Sequence, residues 1–127
     1  MRDLLLVGGG GFLGSVARYY LSGLALHASG AARFPWGTLT VNTLGCVTIG
    51  VLAGLAEHLH LFSPPVRLLV FTGVLGGFTT YSAFGYETYF LAREHLWFAA
   101  AVNLALHIAL GLGGVWLGHW LTGVLAG

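Results

Sequence analysis

The sequence predicts an all-α membrane protein with four transmembrane helices, and two observations carry this prediction. The chain of 127 residues is 57% hydrophobic and only 7% charged, with a mean hydropathy of +0.85. A soluble domain of this size has too little core to bury so much apolar surface. The apolar residues also form four blocks, each near or above the roughly 20 residues that cross a bilayer. We place the spans at about residues 4–26, 38–55, 66–91 and 96–125, within a single domain of residues 1–127.

Composition also argues against several functional classes. The loops between the blocks are too short for a catalytic domain, and no nucleophile–base constellation is visible, so we do not expect an enzyme. A net charge of +1 gives no reason to expect nucleic acid as a partner. The single Cys46 excludes an intrachain disulfide and has no partner for a metal–thiolate site.

The first two spans each carry polar groups in an apolar setting. Arg18 is the one cation well inside a span, and it either raises the anion concentration at a pore mouth or snorkels toward the interface. The second span follows Trp36, an interface anchor, and contains Thr38 and Asn42. The Asn42 amide has two N–H donors, so it either solvates an anion without a fixed charge or bonds a neighbouring helix.

The third span contains an interruption, which is the most informative feature of the chain. Ser63 can cap its start, with two prolines in the first turn. Further on, the run Gly-Gly-Phe-Thr-Thr predicts a helix broken near residues 76–80. In hydrocarbon such a break persists only where it is buried in protein or lines a polar cavity. Broken helices at the bilayer midplane are a recurring way to build ion sites, which indicates a role in ion handling.

Polar and aromatic residues follow the break. Tyr81 and Phe84 lie at i, i+3, so both rings project from one side of the helix. Their positive ring edges can contact an anion in a narrow path, although an ordinary aromatic core pair has the same spacing. Ser82 adds a hydroxyl. Glu87, the only acid well inside a span, either pairs with a cation or lies in a vestibule.

The fourth span follows a tight turn at residues 93–95 and carries a polar stripe. Asn103 and His107 are four residues apart and share one helical face, with Gly111 one turn further. Such a stripe lines either a water-filled path or the contact with a partner helix. The His107 imidazole can also titrate near neutral pH.

Glycine spacing predicts how closely the spans pack, and the distribution of arginines predicts how the chain is oriented in the membrane. Every span has two glycines four residues apart, a spacing that lets membrane helices pack closely and predicts a compact bundle: Gly10/Gly14, Gly50/Gly54, Gly73/Gly77 and Gly114/Gly118.

Two arginines lie at each end of the bundle, and the chain has no lysine. Because arginine counts set orientation, the chain can insert both ways. Two oppositely inserted copies would form an antiparallel dual-topology homodimer, while a single orientation set by weak cues is the alternative.

Taken together, three segments resemble the Fluc (CrcB-type) fluoride channel family. They are Gly10-Gly11-Phe12-Leu13-Gly14-Ser15-Val16-Ala17-Arg18-Tyr19, then Trp36-Gly37-Thr38-Leu39-Thr40-Val41-Asn42-Thr43-Leu44-Gly45, and finally Gly73 with Gly76-Gly77-Phe78-Thr79-Thr80-Tyr81-Ser82 and Phe84. The resemblance covers essentially the whole chain. It implies a passive, fluoride-selective channel that exports fluoride across the bacterial cytoplasmic (inner) membrane. It also implies an antiparallel homodimer in the lipid bilayer, with two pores at the dimer interface and a structural Na⁺ at the dimer centre.

The resemblance also implies roles for particular residues. Gly76 and Thr79 would hold the sodium ion through their backbone carbonyls, and Arg18 and Glu87 would lie in a vestibule. The pore and its fluoride ligands would comprise Asn42, Tyr81, Phe84, Ser82, Thr38, Asn103 and His107. The chain departs from the family pattern at Tyr81, where phenylalanine is usual, and at His107 and Gly111, where hydroxyls are common.

Two other functions remain open from the residues alone. A small dual-topology coupled transporter, similar to a proton/drug antiporter, would share the length and the balanced arginines. It would need Glu87 as its membrane-embedded proton switch. A structural membrane subunit would use the same polar residues only for packing.

Overall fold

A computed structural model of the protein describes residues 1–30, 33–59 and 61–126, and the regular structure in these residues is helical. Four stretches are long and apolar enough to cross a membrane, which confirms the prediction of a multi-pass all-α protein: Arg2–Ser29, Trp36–His58, Pro64–Arg93 and Trp97–Leu125. The helical elements in chain order are α1 (Arg2–Ser29), α2 (Trp36–His58), α3 (Pro64–Arg67), a π-helical segment (Leu68–Leu75), α4 (Gly76–Phe78), α5 (Tyr81–Arg93) and α6 (Trp97–Ala126).

The helix ends follow local sequence signals. Ser63 occupies the N-cap position of α3 with extended backbone (φ −62°, ψ 156°), and prolines fill the first turn as predicted, although the Ser63 hydroxyl makes no capping hydrogen bond. Gly30 ends α1 in the left-handed conformation (φ 60°), which glycine adopts without steric cost. The predicted tight turn between α5 and α6 is present, with His95 at φ 60°.

Glycine lets α1 lie directly against the first half of the third span, residues 64–78. Gly10 and Gly14 are buried in α1. A Cβ atom placed on Gly10 would lie only 2.9 Å from the Cα of Gly73, and one placed on Gly77 would lie 2.9 Å from the Cα of Gly11. Such distances are shorter than real Cβ contacts, so these positions exclude a side chain unless the helices move apart.

A second glycine contact joins α2 to α6. A Cβ atom on Gly50 would lie 2.9 Å from the Cα of Val115, and one on Gly118 would lie 2.8 Å from the backbone nitrogen of Val51. All four glycine pairs therefore lie at helix–helix contacts, and the prediction of a compact bundle is confirmed.

The interruption of the third span is shorter than predicted. Gly76 is helical (φ −63°, ψ −36°), and the extended residues are Thr79 (φ −91°, ψ 156°) and Thr80 (φ −149°, ψ 110°). The glycines stay helical, and Gly77 lies directly against Gly11 of α1. The threonines can leave the helix because their hydroxyls form local hydrogen bonds. Thr79 Oγ1 donates to the Leu75 carbonyl at 3.0 Å, and Thr80 Oγ1 accepts from the Ala83 N–H at 3.2 Å.

Candidate functional site

The break in the third span is held open by a side chain from another helix. Asn42 of α2 donates from Nδ2 to the Thr80 carbonyl at 3.0 Å, and its Oδ1 accepts from the Thr80 N–H at 2.8 Å. The amide thus satisfies both backbone groups of one residue, as a neighbouring peptide group would. One Asn42 N–H remains for another acceptor, because the amide has two donors and Thr80 takes one.

The same hydrogen bonds release two backbone carbonyls from the helix. In a continuous helix the Thr80 N–H would bond the Gly76 carbonyl, but here it donates to Asn42. Likewise the Ala83 N–H would bond the Thr79 carbonyl, but here it donates to the Thr80 hydroxyl. Gly76 and Thr79 therefore have carbonyl oxygens available for another partner, at the two positions where the family resemblance implies a cation.

A groove of about 500 Å³ runs along the break between α2, the third span and α6. It brings together six of the predicted site residues, Asn42, Gly76, Thr79, Tyr81, Phe84 and His107. Lys, Arg, Asp and Glu are absent from its described lining. The remaining lining is small, apolar or weakly polar and includes Cys46, Phe71 and Gly111. The groove is open along one side of the chain, where the Tyr81 side chain is 84% exposed.

Three rings pack one against the next in the wall of this groove. The ring centroids of Tyr81 and Phe84 lie 5.6 Å apart with a 57° angle between the planes. Phe84 in turn packs against the imidazole of His107, with centroids 4.2 Å apart and planes 34° apart. Of the two rings expected to project from one side of the helix, Phe84 is therefore buried and Tyr81 is exposed.

Asn103 does not line the groove. It is 0% exposed and donates from Nδ2 to the hydroxyl of Thr88 at 2.8 Å, and that hydroxyl donates to the Phe84 carbonyl at 2.8 Å. Its backbone carbonyl accepts a hydrogen bond from Nδ1 of His107 at 3.0 Å. The polar stripe of α6 thus divides, because Asn103 fastens α6 to α5 while His107 reaches the groove.

Thr38 and Glu87 form a second polar contact, away from the groove. The Thr38 hydroxyl donates to Oε1 of Glu87 at 2.6 Å, and Oε2 of Glu87 is buried without a hydrogen-bond partner in the described structure. Glu87 lines a separate groove of about 440 Å³ together with Arg33 and Glu94. Glu87 was expected either to pair with a cation or to lie in a vestibule, and its hydrogen-bond partner in the described structure is the Thr38 hydroxyl.

Arg18 and Ser82 are each close to Thr80. Arg18 lines a third groove, of about 580 Å³, with Thr38 and Thr80. Ser82 Oγ lies 3.2 Å from the Thr80 hydroxyl and is absent from the described lining of the central groove. Sequence reasoning missed Thr80 as a site residue, although a threonine directly before a helix is a known N-cap signal. Thr80 lines both the central and the third groove and binds Asn42.

Comparison with known proteins places this arrangement in a family. Residues 5–119 match the family model described as CrcB-like protein, Camphor Resistance (CrcB). A protein of Methylobacillus flagellatus named "Fluoride-specific ion channel FluC" is 52% identical over 122 residues, which cover 96% of this chain and 95% of that protein.

Two further relatives carry the same name. One from Geobacter sulfurreducens is 42% identical over 118 residues, 93% of this chain and 94% of that protein. Another from Phocaeicola vulgatus is 39% identical over 122 residues, 96% of this chain and 99% of that protein. The resemblance drawn from the three sequence segments is confirmed, and the chain belongs to the CrcB-like family.

Proposed function

We propose that this protein is a passive, fluoride-selective channel of the bacterial cytoplasmic membrane. The observation that carries the proposal is the groove in which the Asn42 amide, the Tyr81–Phe84 ring pair and the broken backbone of the third span meet. The name shared by the relatives supports fluoride as the transported ion.

The residues of the groove fit an anion that must shed water. The second N–H of Asn42 and the positive ring edges of Tyr81 and Phe84 offer weak, uncharged contacts. A narrow path of this kind favours the small fluoride ion over chloride. Because the described lining contains no permanently charged side chain, an ion can leave as readily as it enters.

A second copy of the chain would complete the pore. The groove is open on one side, and large side chains along that face of the chain, including Tyr81, are exposed. The balanced arginines allow two copies to insert in opposite directions and pair about an axis in the membrane plane. Such an antiparallel homodimer would contain two equivalent grooves and hence two pores.

The sodium ion expected at the dimer centre fits the residues present. The carbonyls of Gly76 and Thr79 have lost their helical donors, and a hard cation prefers uncharged oxygen ligands of this kind. One chain supplies two such carbonyls, and an oppositely oriented partner would double that number. A bound sodium ion would join the two copies and provide a positive field near the anion paths.

Fluoride efflux from liposomes containing the purified protein tests the proposal. We expect rapid release of fluoride and no release of chloride under the same gradient. Phe84→Ile should lower the fluoride rate, because it removes the ring edge from the groove. The matched control is Phe98→Ile, since Phe98 of α6 is 84% exposed and absent from the groove lining. Equal release of both halides, or no release from folded protein, would overturn the proposal.

A coupled transporter is the second candidate, because Glu87 has a buried carboxylate oxygen without a partner. Coupled transport would require this acid to change protonation during the cycle. Its place outside the central groove favours the channel.

A further inference from the structure

The hydrogen bond made by His107 fixes which of its ring nitrogens carries the proton. Nδ1 lies 3.0 Å from the backbone carbonyl of Asn103, and a carbonyl oxygen can only accept a hydrogen bond. The neutral imidazole must therefore be protonated at Nδ1. Its Nε2 then carries a lone pair and no hydrogen.

That lone pair has no donor facing it. Nε2 of His107 is buried and without a hydrogen-bond partner in the described structure. The ring is held against Phe84, and His107 contributes to the wall of the central groove. In its neutral form, the ring thus holds a buried, unpaired acceptor beside a path proposed to carry an anion, and an acceptor repels fluoride.

We propose that His107 is a fluoride ligand only as the imidazolium ion, so that one proton on Nε2 converts a repelling acceptor into a charged donor. This inference rests on the proposed fluoride channel and adds a proton requirement to it. Protonation leaves the bond from Nδ1 to Asn103 in place, so the ring need not turn to acquire its new donor.

The surroundings of His107 would make fluoride the counterion of the imidazolium. The other titratable side chains in the groove lining are the thiol of Cys46 in α2 and the phenol of Tyr81 in α5, and neither is a carboxylate. The π-helical segment contributes Phe71 and Leu75, and α4 contributes Gly76. On α6 itself, Leu104, Ile108 and Gly111 line the groove with His107.

Glu87, the acid of α5, is engaged by Thr38 and does not line this groove, and Glu94 is absent from the described lining as well. A protonated His107 consequently finds no carboxylate among the described groove residues. A mobile anion is then the favoured partner for its charge.

The sign of the pH effect follows directly. The donor form is populated at low pH, so fluoride flux should be high in acid and should fall as pH rises. Above the pKa of the imidazole, the donor population decreases by about tenfold for each pH unit. We therefore expect fluoride efflux to fall by about tenfold or more between about pH 6 and about pH 8.

Efflux from liposomes at these two pH values is the first test, with the leak of protein-free liposomes subtracted. His107→Ser replaces the imidazole by a hydroxyl that donates at every pH used, so its flux should not depend on pH. His119→Gln is the matched control. His119 is a histidine of the same helix, 2.9 Å from Glu57 and outside the groove, so its replacement should keep the wild-type pH dependence. Wild-type flux that is constant with pH, or a pH dependence that survives in His107→Ser, would overturn the inference.

Imidazole ¹⁵N NMR of the purified protein in detergent gives a second readout that does not require conduction. The resonances of His107 are assigned by their loss in His107→Ser. At a pH where this ring is half titrated, fluoride should increase the imidazolium population, and chloride should not. Absence of a fluoride effect would overturn the inference even in a conducting protein. Failure of the wild type to release fluoride at either pH would instead overturn the proposed channel.

Discussion

Asn42 and Thr80 are joined by two hydrogen bonds of opposite direction, at 3.0 Å and 2.8 Å, across two different spans. The side-chain amide thereby supplies the acceptor that the Thr80 N–H lacks at the break, and it gives the carbonyl of this N-cap residue an additional donor. A membrane offers no water here, so without Asn42 the Thr80 N–H would be unsatisfied. The asparagine predicted as an ion ligand is thus first of all the group that stabilises the break.

Asn42→Asp tests this structural role. A carboxylate can still accept from the Thr80 N–H but cannot donate to the Thr80 carbonyl, so two acceptor oxygens would face each other. We expect a loss of about 1–3 kcal/mol in stability and a strong loss of fluoride efflux. Thermal unfolding in detergent measures the first effect. Thr48→Val is the control, because Thr48 is exposed on α2 and bonds only the Leu44 carbonyl of its own helix. Equal melting of Asn42→Asp and wild type would contradict this role.

The glycine contacts give a test of packing. Gly14→Ala would place a methyl group 2.8 Å from the backbone nitrogen of Phe78, so the helices would have to separate. We expect destabilisation of about 1–3 kcal/mol, measured by thermal unfolding and by the yield of monodisperse protein. Gly8→Ala is the matched control in the same helix, because nothing lies within 4 Å of a Cβ at that position. If both variants unfold at the same temperature and give the same yield, α1 does not contact the third span as closely as described.

Replacement of Glu87 distinguishes a passive channel from a coupled transporter. In a passive channel, Glu87→Gln should still release fluoride, because the new amide oxygen accepts from Thr38 and the residue lies outside the central groove. We expect rates within about threefold of wild type, a barrier change below about 1 kcal/mol. Thr38→Val should be the more damaging variant, since it leaves both oxygens of a buried carboxylate without a hydroxyl donor. Complete loss of transport in Glu87→Gln alone would favour the transporter.

Removal of sodium tests the cation site. Replacing sodium by N-methyl-D-glucamine should lower the melting temperature of the protein, because a bound ion stabilises by about 1.4 kcal/mol for each tenfold excess over its dissociation constant. Gly45→Ala should weaken this sodium dependence. A Cβ atom at position 45 would collide with the side chain of Thr79, whose carbonyl is a proposed ligand. Identical melting in the two salts would exclude a stabilising sodium ion.

Membrane orientation can be measured with single cysteines in a Cys46→Ser background. Ser63→Cys and Glu94→Cys place a thiol at opposite ends of the bundle, and a membrane-impermeant maleimide is added outside sealed vesicles. Because arginines are balanced between the two ends, we expect about half of the molecules to react at either position. Full labelling at one position with none at the other would establish a single orientation and exclude the antiparallel pair.

The sequence was most informative where one physical requirement dominates. Four long apolar blocks have few alternatives to membrane helices, and glycines four residues apart have few uses other than close packing. The spacing alone could not identify partners, because any glycine pair is compatible with any other. That Gly10 faces Gly73, and Gly50 faces Val115, depends on the arrangement of all four spans.

The candidate site was predicted less completely, because individual polar groups have several possible partners. The break was expected near residues 76–80, and its extended residues are Thr79 and Thr80, while Gly76 and Gly77 at the start of that range stay helical. The i, i+4 spacing of Asn103 and His107 placed them on one face, yet Thr88 draws only Asn103 into the core. The proposed roles of these residues in conduction remain predictions.

The break at Thr79 and Thr80 also has an electrical consequence. A helix interrupted inside the membrane acquires two new termini, and each carries about half an elementary charge of opposite sign. The residues before the break end in carbonyls and attract a cation, whereas α5 begins at Tyr81 with N–H groups that have no acceptor within the helix and attracts an anion. A single two-residue interruption can therefore favour ions of both signs at nearly the same depth, without any formally charged side chain.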